Sequence, residues 1–280
     1  EIVPQTVPQT VQGYPLRAFL ICMVAYTTAQ MDLALFGYAV PAIRAEFELT
    51  LSEVMAIVSI AFLIGGALLL GLGWMGDRVG RLPMFQFSLL GSSVLVTLIS
   101  VAPGVIVLTL LRGASIAVGG LSYPITGAII TEEMPARLRG LFMGLLQIGY
   151  PLGWALASLW SMWLLTTYGW RPLFLVGLIS LPLVWVVRHY LREPPRAMAA
   201  KSEQAPAALA DLWAADIRGR AATLFSAQFL FVWAYAASIF LFPSFLRDVR
   251  GLDAFNFSLL IGAGNGIGVL GYVLAAWIGE

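Results

Sequence analysis

GWMGDRVGRLP, residues 73–83, places three charges (Asp77, Arg78 and Arg81) and three glycines (Gly73, Gly76 and Gly80) between two long apolar runs. Charge is scarce in the rest of the chain. Of 280 residues, 60% are hydrophobic and 11% are charged, with a mean hydropathy of +0.87. A soluble domain carries about a quarter charged residues, so this chain is built for another solvent. Apolar runs of about 20 residues flank the stretch and recur along the chain, each long enough to cross a hydrocarbon core about 30 Å thick. The composition therefore predicts an all-α polytopic membrane protein. The two-residue alternation of a membrane β-barrel is missing from the sequence.

Eight spans are expected, near 17–42, 53–75, 84–102, 104–130, 141–165, 172–191, 220–246 and 256–279. Residues 1–16 read as a tail without the basic start of a signal peptide. Residues 17–191 hold six spans, 192–219 form a polar linker and 220–280 hold two more spans. Positive charge orients the bundle. With the N-terminus inside, eleven basic residues face the cytoplasm (Arg17, Arg78, Arg81, Arg137, Arg139, Arg188, Arg192, Arg196, Lys201, Arg218 and Arg220). Four face outward: Arg44, Arg171, Arg247 and Arg250. The expectation is a cytoplasmic N-terminus in a cell membrane, the inner membrane of a bacterium, with lipid all round.

The opening stretch has an echo. FGYAVPAIRAEF closes the first span and IFLFPSFLRDV closes the seventh, each with a proline followed within four residues by arginine. From Pro41 to Asp77 is 36 positions, and from Pro243 to Glu280 is 37. The second span ends in GWMGD and the eighth in AWIGE. Two copies in the same orientation imply a parallel repeat. The chain starts without methionine and stops within the second copy, so it is expected to be C-terminally incomplete, a piece of a protein of about twelve spans.

The pattern Gly73-x-x-Gly76-Asp77-Arg78-x-Gly80-Arg81, in a short loop between the second and third spans, resembles the loop signature of the major facilitator superfamily of secondary transporters. Leu82 stands where that signature has a third basic residue. Arg112 with Gly119, Gly120 and Pro124 is similar to the fourth-span signature, and Glu132, Pro135, Arg139 and Gly140 to the loop that follows it. LREPPRAM, 191–198, resembles an element after the sixth span of sugar and organic-acid porters. The resemblance implies a six-helix bundle followed by the first two helices of a second bundle. It also implies cytoplasmic charge networks that hold the outward-facing state, a gating role carried onto Gly73, Asp77, Arg78, Gly80, Arg81, Glu132 and Arg139. Setting topology is the alternative role for each arginine. MDLALFGYAVPAI, 31–43, resembles the first span of proton symporters for aromatic acids, which often carry two acidic residues three apart. Here Ala29 takes the earlier place and Asp32 remains.

Asp32 and Arg112 stand deep inside apolar runs, where ionised groups cost several kcal/mol. Such surroundings favour a protonated carboxyl, so Asp32 is a candidate proton-coupling group; a structural acid paired with a buried polar group is the other reading. Arg112, Ser115, Gly119, Ser122 and Thr126 share one helical face, and a polar stripe on an apolar span should face the bundle interior. A guanidinium there suits a substrate carboxylate held in bidentate fashion, or Asp32 itself. Gln147 and Trp154 on the fifth span, and Gln228 and Tyr235 on the seventh, could contact a ligand or simply pack helices. Gly262, Gly264, Gly266 and Gly268 form overlapping small-residue pairs suited to close helix packing. His189, the one histidine, reads as an interface residue at a span end.

No nucleophile–base set, phosphate-binding loop or metal cluster is visible, so the sequence gives no grounds for an enzyme, a cofactor, a metal or a nucleic-acid partner. The expected protein is a monomeric secondary transporter that takes up a small organic anion with protons by alternating access. A sugar porter, a drug/proton antiporter and a non-transporting sensor on the same fold are the alternatives.

Overall fold

The computed structural model describes residues 11–193 and 218–278; most of the expected linker and the GE of AWIGE lie outside the described residues. At Asp77, Arg78 and Tyr235 the helical backbone is described and the side chains are not. The helices in chain order are α1 (Tyr14–Glu46), α2 (Leu51–Val79), α3 (Arg81–Ile99), α4 (Val105–Gly120), α5 (Ser122–Glu133) and α6 (Arg139–Leu146). They continue with α7 (Gly149–Thr167), α8 (Trp170–Leu173), α9 (Leu181–Tyr190), α10 (Arg218–Asp248) and α11 (Ala254–Ile278). Two 3-10 segments, Ala136–Leu138 and Phe174–Ser180, complete the fifth and sixth spans.

Among the described residues, seven stretches are long and apolar enough to cross a membrane: Tyr14–Glu46, Leu51–Gly76, Arg81–Ile99, Val105–Glu133, Ala136–Thr167, Trp170–Tyr190 and Ala254–Ile278. The eighth expected span is α10, whose 31 residues reach about 46 Å at 1.5 Å per residue.

Local sequence explains where helices start and break. Pro15 sits in the first turn of α1, where its missing N–H costs nothing. Thr50 and Glu53 form a reciprocal capping box at the start of α2, which satisfies two otherwise orphaned donors. The fourth span breaks between Gly120 and Ser122, and the proline at 124 would clash with the carbonyl four residues back, that of Gly120. The fifth span breaks at Gln147 and Ile148, four residues before Pro151, for the same reason. Prolines also lie inside α1, at Pro41, and α10, at Pro243.

The loop expected between the second and third spans shrinks to one residue. α2 continues through Asp77 and Arg78 to Val79, and α3 begins at Arg81. Gly80 makes the reversal alone with φ of 112°, a conformation that side-chain-bearing residues rarely adopt.

α1 is the central element, packed on α5, α7, α10 and the sixth span, while α7 is held between α1 and α11. Gly153 allows the α1–α7 approach: a Cβ there would lie 2.6 Å from the Thr27 carbonyl and 2.7 Å from the Met31 nitrogen. Gly262 makes the equivalent contact between α11 and Ser158 of α7, while Gly264 and Gly266 face open space. Two apolar cores result. One gathers on Tyr26 and the residues before it in α1; the other begins at Met31 and runs to the Glu46 end. Thr27, Thr28, Gln30 and Asp32 belong to neither, so α1 carries a polar belt at its waist.

Candidate functional site

Asp32 and Arg112 meet at this belt. Both are buried, with 4% and 2% of their surface exposed. Arg112 donates from Nη2 to the Leu33 carbonyl at 2.8 Å and from Nη1 to the Asp32 carbonyl at 3.5 Å. Its guanidinium carbon lies 4.7 Å from the centre of the Phe36 ring. The side-chain carboxyl of Asp32 is different: both oxygens are buried without a hydrogen-bond partner. Arg112 is thus anchored to the main chain of α1 beside Asp32 rather than paired with its carboxylate. An unpaired buried charge is expensive, and a buried polar atom without a partner calls for an explanation. A proton on Asp32 lowers that cost, and so does a ligand.

The two groups line a chamber of about 120 Å³ with Gln30, Leu33, Phe62, Ser92 and Ser115 among its walls. Beside it opens a cavity of about 830 Å³ between α1, α2, α7 and α10. Its lining is mainly aromatic: Tyr26, Phe62, Tyr123, Tyr150, Trp154, Phe225, Phe229, Trp233 and Phe240. Phe225, Phe229 and Trp233 stack in sequence along α10, with centroids 6.2 and 6.4 Å apart. Gln30, Leu33 and Phe62 line both spaces. Gln30 Oε1 and Trp154 Nε1 are buried without partners, an acceptor and a donor on the wall of a pocket otherwise short of polar groups.

The stripe expected along the fourth span is buried except at half-buried Gly119, and its members do different work. Ser115 lines the chamber and donates to the Arg112 carbonyl at 2.8 Å. Ser122 instead meets the Ser88 hydroxyl at 2.8 Å, so its hydroxyl joins α3 to α5. Gln147 bridges two cavity tyrosines: it accepts from the Tyr26 hydroxyl at 3.2 Å and donates to that of Tyr123 at 2.8 Å. Trp154 and Gln228 line the large cavity; the side chain of Tyr235 lies outside the described residues.

The charged turn is assembled separately. Arg81 forms an ion pair with Glu132, and Arg139 donates from Nε to the Met134 carbonyl at 3.2 Å. Glu193 accepts from the backbone N–H groups of Arg81 at 2.6 Å and Leu82 at 2.9 Å. It therefore caps α3, where helix N–H groups and the helix dipole favour negative charge. Gly73 lies exposed on α2. At the opposite end of the bundle, Arg44 of α1 pairs with Asp248 of α10 at 2.5 Å. α10 meets α1 in its second half, through Phe240 against Gly37 and this ion pair. Residues 218–234 of α10 are exposed, with Ala221 half-buried.

Sequence reading missed Phe62, Gln30, the aromatic ladder of α10 and Glu193. An aromatic residue on a membrane helix carries the same pattern whether it faces lipid or a cavity. Glu193 carried a weak signal, as the acid of LREPPRAM.

Long apolar helices flanking an open, ligand-sized cavity, with charge at the waist of the bundle, define a multi-pass membrane protein. The chain belongs to the Major Facilitator Superfamily, which it matches over residues 22–280. It is 32% identical over 180 residues to the "Cis,cis-muconate transport protein" of Acinetobacter baylyi, covering 63% of this chain and 43% of that protein. It is 27% identical over 227 residues to the "Gallate transporter" of Pseudomonas putida, covering 78% and 49%. It is 29% identical over 186 residues to the "Multidrug resistance protein B homolog" of Mycobacterium tuberculosis, covering 65% and 34%. The chain thus spans less than half the length of each of these relatives.

Proposed function

We propose that the protein carrying this chain imports a small organic anion together with protons by alternating access, as a monomer with its N-terminus in the cytoplasm. The observation that carries this reading is the buried Asp32 carboxyl, which lacks a partner although Arg112 is fixed beside it. A carboxyl so placed exchanges a proton when the chamber opens to water and stays neutral when it is shut. Arg112 supplies fixed positive charge for the carboxylate of the cargo. The aromatic cavity takes the apolar body of that cargo, in keeping with the muconate and gallate named for two relatives. The six spans of 17–191 act as one rocking body and 220–280 as the start of the other, joined by the linker 192–219. In this reading Arg44–Asp248 closes the outer end, Gln228 and Tyr235 are the cargo contacts contributed by the second body, and Gly73, Asp77, Arg78, Gly80, Arg81, Glu132 and Arg139 form the inner latch.

Uptake of labelled organic acids, measured with and without an uncoupler, tests this function. Accumulation that collapses with the proton gradient supports it; accumulation indifferent to the uncoupler sinks it. Proton-driven export of bulky apolar compounds is the second reading, favoured by the multidrug-named relative and the aromatic wall. Reversing the gradient in vesicles separates them, because symport and antiport then move cargo in opposite directions.

A further inference from the structure

Among the described residues, Phe62 is the one aromatic side chain that lines both the ionic chamber and the large cavity. Its ring meets that of Phe240 edge to face, with centroids 5.7 Å apart and planes at 64°. Phe240 comes from α10, is 5% exposed and packs on Trp154 with centroids 5.9 Å apart. Where Phe36, Ala61, Phe62, Arg112, Ile116 and Phe240 converge, the remaining gap is too small for a water molecule. Phe62 and Arg112 of this dry seam also line the chamber that holds the unpartnered Asp32 carboxyl, and Phe62 and Phe240 also line the open cavity of about 830 Å³.

Size sharpens the point. An engineered cavity of about 150 Å³ binds benzene, and a water occupies about 30 Å³. The chamber, at about 120 Å³, is smaller than that and has room for a few waters or a carboxylate.

We propose that Phe62 is the partition between the proton site and the cargo cavity, and that Phe240 holds it shut. The inference rests on the reading of Asp32 as the proton-coupling group. In the arrangement described, the ring of Phe62 admits only the acidic head of a cargo to Arg112 and keeps its body in the aromatic cavity. It also denies Asp32 a continuous water path, so protons cross only when the two bodies move and Phe240 withdraws. Phe62 is a positioning residue; it carries no proton itself.

The test is a proton leak measured without cargo. The whole protein carrying this chain is reconstituted into liposomes with a pH-sensitive dye inside, and a pH step is applied outside. Phe62→Ala is expected to raise proton entry about tenfold over wild type, equivalent to about 1.4 kcal/mol off the barrier, and Phe62→Tyr to restore tightness. Adding Asp32→Asn to Phe62→Ala should abolish the leak. Where Phe62→Ala fails to fold, Phe240→Ala opens the same seam from the other side and gives the same readout. A folded Phe62→Ala protein as tight as wild type overturns the partition, and so does a leak that Asp32→Asn leaves in place. The two readings fail separately. A tight Phe62→Ala in a protein whose uptake is uncoupler-sensitive removes the partition alone. An Asp32-dependent leak in a protein whose uptake ignores the uncoupler upholds the partition and removes proton coupling.

Discussion

Two regions of this molecule hold charge near helix α1 and α3, and they treat it in opposite ways. At the Gly80 turn the described charges are engaged: Arg81 on Glu132, Glu193 on two backbone N–H groups, Arg139 on a carbonyl. At the waist of α1, Arg112 is bonded to the main chain and the Asp32 carboxyl beside it is bonded to nothing. The turn lies at the end of two helices, where groups can reach water as well as partners. The waist lies between two apolar cores, where an unmet charge costs most. In the proposed reading, the difference separates charge that holds the fold together from groups kept ready for a transient partner.

The contrast breaks most sharply at Asp32. Asp32→Asn keeps the shape and removes the titrating group, so proton-driven accumulation should be lost while cargo still exchanges down its gradient in a counterflow assay. Retained accumulation would place Asp32 with the structural charges. Next comes Arg112→Lys, which keeps the charge and loses the planar fork. Affinity for an anionic cargo should fall by about 1–3 kcal/mol, the worth of a charge-assisted bond, read as the Kd of a labelled acid; an unchanged Kd would make Arg112 a scaffold for α1.

Smaller effects are expected among the engaged charges. Glu193→Ala removes the acceptor from two N–H groups and should destabilise the protein by about 1–2 kcal/mol, seen as a lower Tm in detergent with cargo affinity intact. A loss of affinity instead would tie the turn to the chamber. Arg44→Ala is expected to have the least influence on stability, about 0–1 kcal/mol, because Arg44 and Asp248 keep 21% and 44% of their side chains exposed. Its readout is accessibility: a cysteine placed at Ala42, on the wall of the pocket at that end, should label faster from outside if that end faces out, as proposed, and the pair closes it.

The helices and the charged waist were legible in the sequence because their signals are local. A run of about 20 apolar residues reads as a span wherever it packs, and Asp32 and Arg112 stand out because their neighbours are greasy. The breaks at 121 and 147–148 follow from Pro124 and Pro151, although the sequence reading placed single spans there. The other half of the site depends on tertiary placement. Ser122, on the same stripe as Ser115, is drawn to Ser88 because α3 packs against that part of the face. Phe62 and Phe240 are 178 positions apart in the chain, and their meeting leaves no trace in the periodicity of either helix.

The single-residue joint at Gly80 has a mechanical consequence. One residue spans at most about 3.6 Å, and here it links helices of 29 and 19 residues. Such a link has no slack. Any tilt that lifts the end of α2 must drag α3 with it or unwind a turn of one of them, and Glu193 clamps the first turn of α3. The adjoining ends of the second and third spans are therefore tethered in position: a displacement of the Val79 end of α2 is passed to the first turn of α3, while the glycine leaves the angle between the two helices adjustable.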